Sequence, residues 1–253
     1  SFSDNTLSQA RFNNENIFVE KAKAQKDVMG KDAWRLIIKN AIEKQRFNLV
    51  TWNAVNTQTK TVFHNVLSIS LALDKQTAYS YARFMAPAIQ IGLSNDIYKT
   101  VVDMLLKSST KMLSPGVYAL RLPREYLESA QTYKELDDLL RANAALLGFK
   151  LIIELPDRFV REDSKLVRQY IEMFRKYSIQ IGIFEFIGDS EEYVYLQQTR
   201  PKYIKGESSY FLSQSHNSLL ALKLITDAMD ISLIAVGVAD LEAVEALEKM
   251  GIY

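Results

Sequence analysis

The stretch IIELPDRF, residues 152–159, closes an apolar run on a carboxylate, Glu154, and brings a second, Asp157, just behind it. An acid delivered at the end of a buried strand is placed for catalysis, as a proton-transfer group or as a ligand for a divalent cation. Other short apolar runs end on groups of comparable use: Arg121 after GVYAL, Glu185 within IQIGIFEF, Lys205 after KYI. Arg121 and Lys205 allow two readings. They could hold a phosphate without any metal, the arginine through its two-pronged fork. Or they neutralise Glu154 and Glu185, leaving an inert cluster of ion pairs, with Arg121 as the partner of Glu154. An unpaired buried acid would be costly, which favours such pairing. Trp52 could stack on a nucleobase or sit in the core.

Other chemistry is limited by composition. The 253 residues include no cysteine and only two histidines, His64 and His216. Thiolate chemistry, disulfides and cysteine-ligated zinc are excluded, and a Ser-His-Asp relay or multi-histidine metal site has little to draw on. Both histidines read as surface or interface residues. A net charge of +1, from 31 basic and 30 acidic residues, gives no case for nucleic acid as a main partner. No apolar run approaches the roughly 20 residues that span a bilayer, and the polar start SFSDNTLSQARF does not resemble a signal peptide.

These residues must be positioned by the elements that carry them. FNLVTWNAV (47–55) and TVFHNVLSISL (61–71), separated by a polar turn, predict a hairpin. From residue 116 onward, short apolar strands alternate with amphipathic helices: strands at 116–122, 150–155, 179–186, 202–205 and 231–238, helices at 129–148, 161–177, 190–199, 214–230 and 240–251. DSEE (189–192) reads as a helix start with favourable first-turn charge. Nearly continuous apolar strands of this kind, separated by amphipathic helices, predict a parallel sheet covered by helices. Repetition without a GxGxxG favours an α/β, TIM-like (β/α) barrel, whose chemistry sits at the C-terminal strand ends. Ahead of it, DAWRLIIKNAIEKQ (32–45) predicts an amphipathic helix.

Taken in order, the strand ends resemble those of the EAL domain, the family that hydrolyses cyclic di-GMP, over residues 46–253. Trp52-Asn53-Ala54 stands for the family's Gln-Pro-Ile, and Val66-Leu67-Ser68 for the name-giving Glu-Ala-Leu. FMAPAIQIGL (84–93) is similar to Phe-Ile-Pro-x-Ala-Glu-x-x-Gly-Leu, with Ile89 in the acid's place. LRLPREYL (120–127) puts Arg121 where a metal-binding Asn belongs. ELPD (154–157) puts Glu154 at a metal ligand, FEFI (184–187) takes the Asp-Asp-Phe-Gly place, and RPKYIKGE (200–207) puts Lys205 at the active-site lysine. IAVGVAD (234–240) keeps the framework of Ile-Ala-Glu-Gly-Val-Glu-Thr without its acids.

The resemblance implies a degenerate domain. At the family's cation-binding places stand Val66, Arg121, Glu154, Phe184, Glu185 and Ala239, so two acids remain and a cation has entered the cluster. No cofactor, no two-metal site and no hydrolysis are expected. Arg121, Glu154, Glu185, Lys205 and Trp52 are the expected ligand-facing residues of the former active site. The implied role is a receptor that binds cyclic di-GMP without cleaving it and relays binding through the 32–45 helix. The alternative is a ligand-free module that binds another protein or a second copy of itself. Ser70, Ile89 and Phe184 favour the alternative, because Ser70 stands where the family has a phosphate-contacting arginine, whereas the retained Lys205 favours the receptor. TLSQARFNNENIF (6–18) resembles the close of a GGDEF domain. Residues 1–30 are therefore expected to be the tail of such a domain with its linker, and 31–253 an EAL-like barrel lacking its last strand. Tandem proteins of the LapD type, on the inner membrane, and of the CsrD type are the nearest in style. They imply a cytoplasmic domain, with any membrane segment outside this sequence.

Overall fold

The computed structural model describes residues 29–74, 77–162, 164–188 and 193–252. The expectations for residues 6–18 and for the acidic stretch 189–192 lie outside them. The described residues fall into two compact units, one within Ser1–Trp52 and Leu67–Met112, the other within Asn53–Val66 and Leu113–Tyr253. No helix among them is long and apolar enough to cross a membrane.

In the first unit, helix Lys31–Glu43 turns Trp34, Ile38 and Ala41 inward, the three- and four-residue spacing of one helical face. Trp34 meets Tyr79 at a centroid distance of 5.4 Å, and Phe47 meets Phe84 at 6.3 Å. Helix Tyr81–Gln90 buries Phe84, Met85 and Ala88, and helix Ser94–Met112 buries Ile97, Val101 and Leu105. The two-residue strand β3 (Ala78–Tyr79) runs antiparallel to β2 (Val62–Ala72), pairing Leu71 with Tyr79.

The second unit carries the site. Its strands follow the hydrogen-bonded order β1 (Phe47–Val55, entering by 53–55), β2 (entering by 62–66), β4 (Val117–Arg121), β5 (Lys150–Pro156), β6 (Gln180–Phe186), β7 (Tyr203–Glu207) and β8 (Ser232–Val236). The four neighbouring pairs from β4 to β8 are parallel. Residues 151–156 of β5 are all buried, as a strand covered on both faces requires. The connecting helices supply the cover. Lys165–Lys176 buries Val167, Tyr170, Ile171 and Phe174, and Ser164 caps it by accepting from the Val167 amide at 3.2 Å. Ser129 caps Ala130–Asn143 and Asp240 caps Leu241–Lys249 in the same way. The architecture agrees with the (β/α) reading. Sequence periodicity missed three short helices, Arg124–Leu127, Asp157–Arg161 and Ser208–Ser213, each placed directly after a strand. Four to six residues are too few to show a helical period.

The register places the site residues. Arg121 pairs with Glu154, Glu154 with Gly182, Gly182 with Tyr203, and Lys205 with Ile234. Because side chains alternate along a strand, these residues share one face of the sheet. Below them on that face, Ala119, Ile152, Tyr203 and Ile234 form an apolar layer, with Phe63 and Val117 packed against it.

Candidate functional site

Glu154 is the centre. Its carboxylate is fully buried and accepts from three sides. Lys205 Nζ and the Tyr203 hydroxyl donate to Oε1, the latter at 2.7 Å, and Arg121 Nε approaches Oε2 at 3.4 Å. Burial alone would raise its pKa. The adjacent charges of Lys205 and Arg121, with the hydrogen bonds from Lys205 and Tyr203, overcome that and hold it down at about 2. Glu154 is therefore a permanent anion at neutral pH. Lys205, only 4% exposed, is pulled below the ordinary lysine value by burial, against the restraint of Glu154.

His64 completes the cluster. Sequence reasoning placed it at a surface or interface. The structure corrects this: the side chain is 1% exposed and lies flat on the Tyr203 ring, with centroids 4.7 Å apart and planes within 3°. Lys205 Nζ stands 2.9 Å from His64 Nε2. An ammonium can only donate, so Nε2 accepts and Nδ1 carries the proton. Nδ1 has no hydrogen-bond partner among the described residues. Burial first, and the Lys205 charge second, push the imidazole down to about 3, so it stays neutral. His216, by contrast, is exposed at the start of helix His216–Ala228.

Tyr203 fits because residue 182 is glycine. A Cβ there would lie 2.6 Å from the Tyr203 ring, so the ring occupies the space that any larger residue would need. Phe63 closes the group edge-on to both His64 and Tyr203.

Arg121 sits differently. Its side chain is 44% exposed, and its guanidinium lies over the Phe184 ring at 4.3 Å. Such stacking contributes roughly 0.5–2 kcal/mol. Its only hydrogen bond among the described residues uses Nε, so both Nη groups are uncommitted. Glu154, Arg121 and Lys205 carry one net positive charge as a cluster, and exposed Glu207 ends β7 beyond them.

Of the expected ligand-facing residues, the structure brings Arg121, Glu154 and Lys205 together. Glu185 stays out of their hydrogen-bond network. The β6–β7 register slips between Ile183 and Phe186, and Glu185 takes a left-handed φ of 56° in the bulge, with its side chain exposed. Trp52 lies half-buried on β1 in the first unit. Sequence reasoning missed two members, Tyr203 and His64. The lone glycine inside IQIGIFEF signalled a close approach, and the pattern V-F-H-N-V allowed His64 to face inward as readily as outward.

The donor set bears on metal binding. Among the described residues no three Asp, Glu or His side chains are grouped so as to hold a cation. A divalent ion approaching Glu154 would compete with the cations of Lys205 and Arg121 for the same oxygens, so the residues present do not fit a two-metal centre.

A covered parallel sheet with its ionisable groups at the C-terminal strand ends defines a (β/α) barrel protein with a strand-end site. The EAL domain model matches residues 36–253, and the chain belongs to that family. Among solved structures, it is similar to Vibrio cholerae LapD S helix-GGDEF-EAL bound to c-di-GMP, at 18% identity and a TM-score of 0.71 over 98% of this chain and 62% of that one. The chain thus spans about three fifths of that LapD structure. The Xanthomonas citri FimX EAL domain in complex with c-di-GMP matches at 16% identity and a TM-score of 0.68, over 88% of this chain and 89% of that one. An EAL domain protein from Listeria monocytogenes EGD-e matches at 16% identity and a TM-score of 0.65, over 90% of each chain. Likeness at these identities is a likeness of fold. No curated protein matches the chain.

Proposed function

We propose that this chain is a catalytically inactive EAL domain that binds cyclic di-GMP intact and relays binding, through helix Lys31–Glu43, to the rest of a multidomain cytoplasmic signalling protein. The observation that carries the reading is the ion cluster itself: Lys205 and Arg121 flank the buried carboxylate of Glu154, two fixed cations to one acid. A cyclic dinucleotide carries two phosphodiester charges, and a preorganised cation at the strand ends attracts one without a metal. Solved EAL structures that hold c-di-GMP, those of LapD and FimX, support the ligand's identity. Hydrolysis would need a cluster of oxygen ligands, and Val66, Arg121, Phe184 and Ala239 supply none of the acids it requires. Within the site Lys205 acts through Glu154, and Glu185 is proposed as an outer contact for a base. Relay means that binding favours one arrangement of the full protein over another.

The test is to dialyse the domain against labelled cyclic di-GMP with magnesium or manganese, then chromatograph the nucleotide. Retention of intact ligand supports the receptor. A linear dinucleotide product would overturn the inactive reading. A second reading, a ligand-free protein-binding module, is favoured by Leu220 and Leu224, exposed one turn apart on helix His216–Ala228. It predicts no retention at all, with a partner lost on Leu224→Glu.

A further inference from the structure

We propose that Arg121 is a metal-independent oxyanion clamp, its two Nη groups gripping two non-bridging oxygens of one phosphodiester, and that Phe184 is the residue that positions it. The proposal deepens the receptor reading and rests on it for the ligand's identity. Three features of the guanidinium carry it. Nε is tied to Glu154 Oε2, which fixes the plane's inner edge. The Phe184 ring lies beneath the plane at 4.3 Å and blocks one face. Nη1 and Nη2 bind nothing among the described residues, and the side chain is 44% exposed. A fork held on its inner edge and one face, with its prongs open, is preorganised for a planar pair of oxygens.

Glu154 does not cancel the clamp, because Lys205 and Tyr203 already occupy Oε1. The same contacts take Lys205 out of the clamp. At 4% exposed and committed to Glu154 and His64, it holds Glu154 and so steadies Arg121, but offers no surface to a ligand. Arg121 is thus the phosphate-touching residue, and Phe184, in place of an acid, is its base plate. One fork holds one phosphate, so the ligand's other phosphate is bound elsewhere or left in solvent.

Four variants of the chain, Arg121→Gln, Arg121→Lys, Phe184→Leu and Phe184→Tyr, are titrated with cyclic di-GMP in EDTA, with circular dichroism melts as the folding control. Side-chain nitrogen NMR of Arg121, assigned by its loss in Arg121→Lys, is followed in parallel. Arg121→Gln is expected to weaken binding about 30- to 100-fold and Arg121→Lys about tenfold, since a point charge lacks the fork. Phe184→Leu is expected to lose about three- to tenfold and Phe184→Tyr to restore the wild-type value, as stacking rather than bulk is what positions the guanidinium. The Arg121 signals should move on saturation in the wild type and less in Phe184→Leu. Wild-type-like affinity in folded Arg121→Gln, or Arg121 signals unmoved by bound ligand, would overturn the clamp and leave the receptor standing. Should wild type bind no cyclic di-GMP, the receptor fails, and inorganic phosphate becomes the probe. Movement of the Arg121 signals with phosphate would support the clamp by itself, and their constancy would overturn it.

Discussion

Glu154 and Asp157 belong to one tetrapeptide, Glu-Leu-Pro-Asp, and both are fully buried, yet their environments push them in opposite directions. Glu154 meets two cations and a phenol and is held at about 2. Asp157 is raised, chiefly by burial. The Tyr195 hydroxyl donates to it at 2.7 Å and Arg161 Nε lies 3.1 Å away, but these do not offset the lost water. Burial alone therefore says little about charge. The number of cations that share the burial decides it. Asp157 joins helices Asp157–Arg161 and Val194–Thr199, which is a structural duty. Glu154 ties buried Lys205 and half-exposed Arg121 into one ion cluster.

The sharpest way to break this contrast is to take away Lys205. Lys205→Met should cost about 3–5 kcal/mol, because it leaves Glu154 buried with only a partly exposed arginine. Adding Glu154→Gln should recover much of the loss, and a double-mutant cycle in urea would measure the coupling. If Lys205→Met were as stable as wild type, the ion cluster would not hold the fold.

Acid comes next. His64 has an ordinary value of 6.5 and a folded value of about 3, so the unfolded chain takes up its proton first as pH falls. Stability present above pH 6.5 is lost between pH 6.5 and 3, on the order of 4 kcal/mol from this one group. Glu154, lowered from 4.5 to about 2, adds a further loss as pH falls from 4.5 toward 2. Asp157 has the opposite sign: its folded value lies above 3.8, so its contribution weakens as pH rises through that range. Urea midpoints from pH 3 to 8 should therefore fall steeply below pH 6.5, and His64→Phe should flatten the part between 6.5 and about 4.5.

Gly182→Ala ranks third. The new methyl must displace the Tyr203 ring, at about 1–3 kcal/mol, and should also release the Tyr203–Glu154 hydrogen bond. Tyrosine fluorescence and the melting temperature would report both. The smallest effect is expected for Asp157→Asn, within about 1 kcal/mol at pH 7, since an amide keeps an acceptor for Tyr195 and removes the penalty of a buried charge.

Much of this was legible in the sequence. Apolar runs of strand length between helical stretches gave the parallel sheet, because strands covered on both faces leave a continuous hydrophobic trace. The Arg121–Glu154 neighbourhood followed from adjacent strand ends, and the register pairs the two directly. The direction of His64 is not legible in the sequence, because alternation fixes that neighbours face opposite ways, not which way each faces. Tyr203 looked like an ordinary apolar strand residue. Its role depends on Gly182, one strand away in space but 21 positions away in sequence. The exposure of Glu185 follows from a bulge, which no hydrophobic pattern announces.

On the proposed reading, Arg121, steadied by Glu154 and Lys205, takes the place of metal at the strand ends. Isothermal titration of cyclic di-GMP in EDTA and again in excess magnesium tests it most directly. Equal dissociation constants, with the nucleotide recovered intact from both cells, are the predicted result. Binding or cleavage that appears only with magnesium would mean that metal, not a side-chain cation, holds the phosphate.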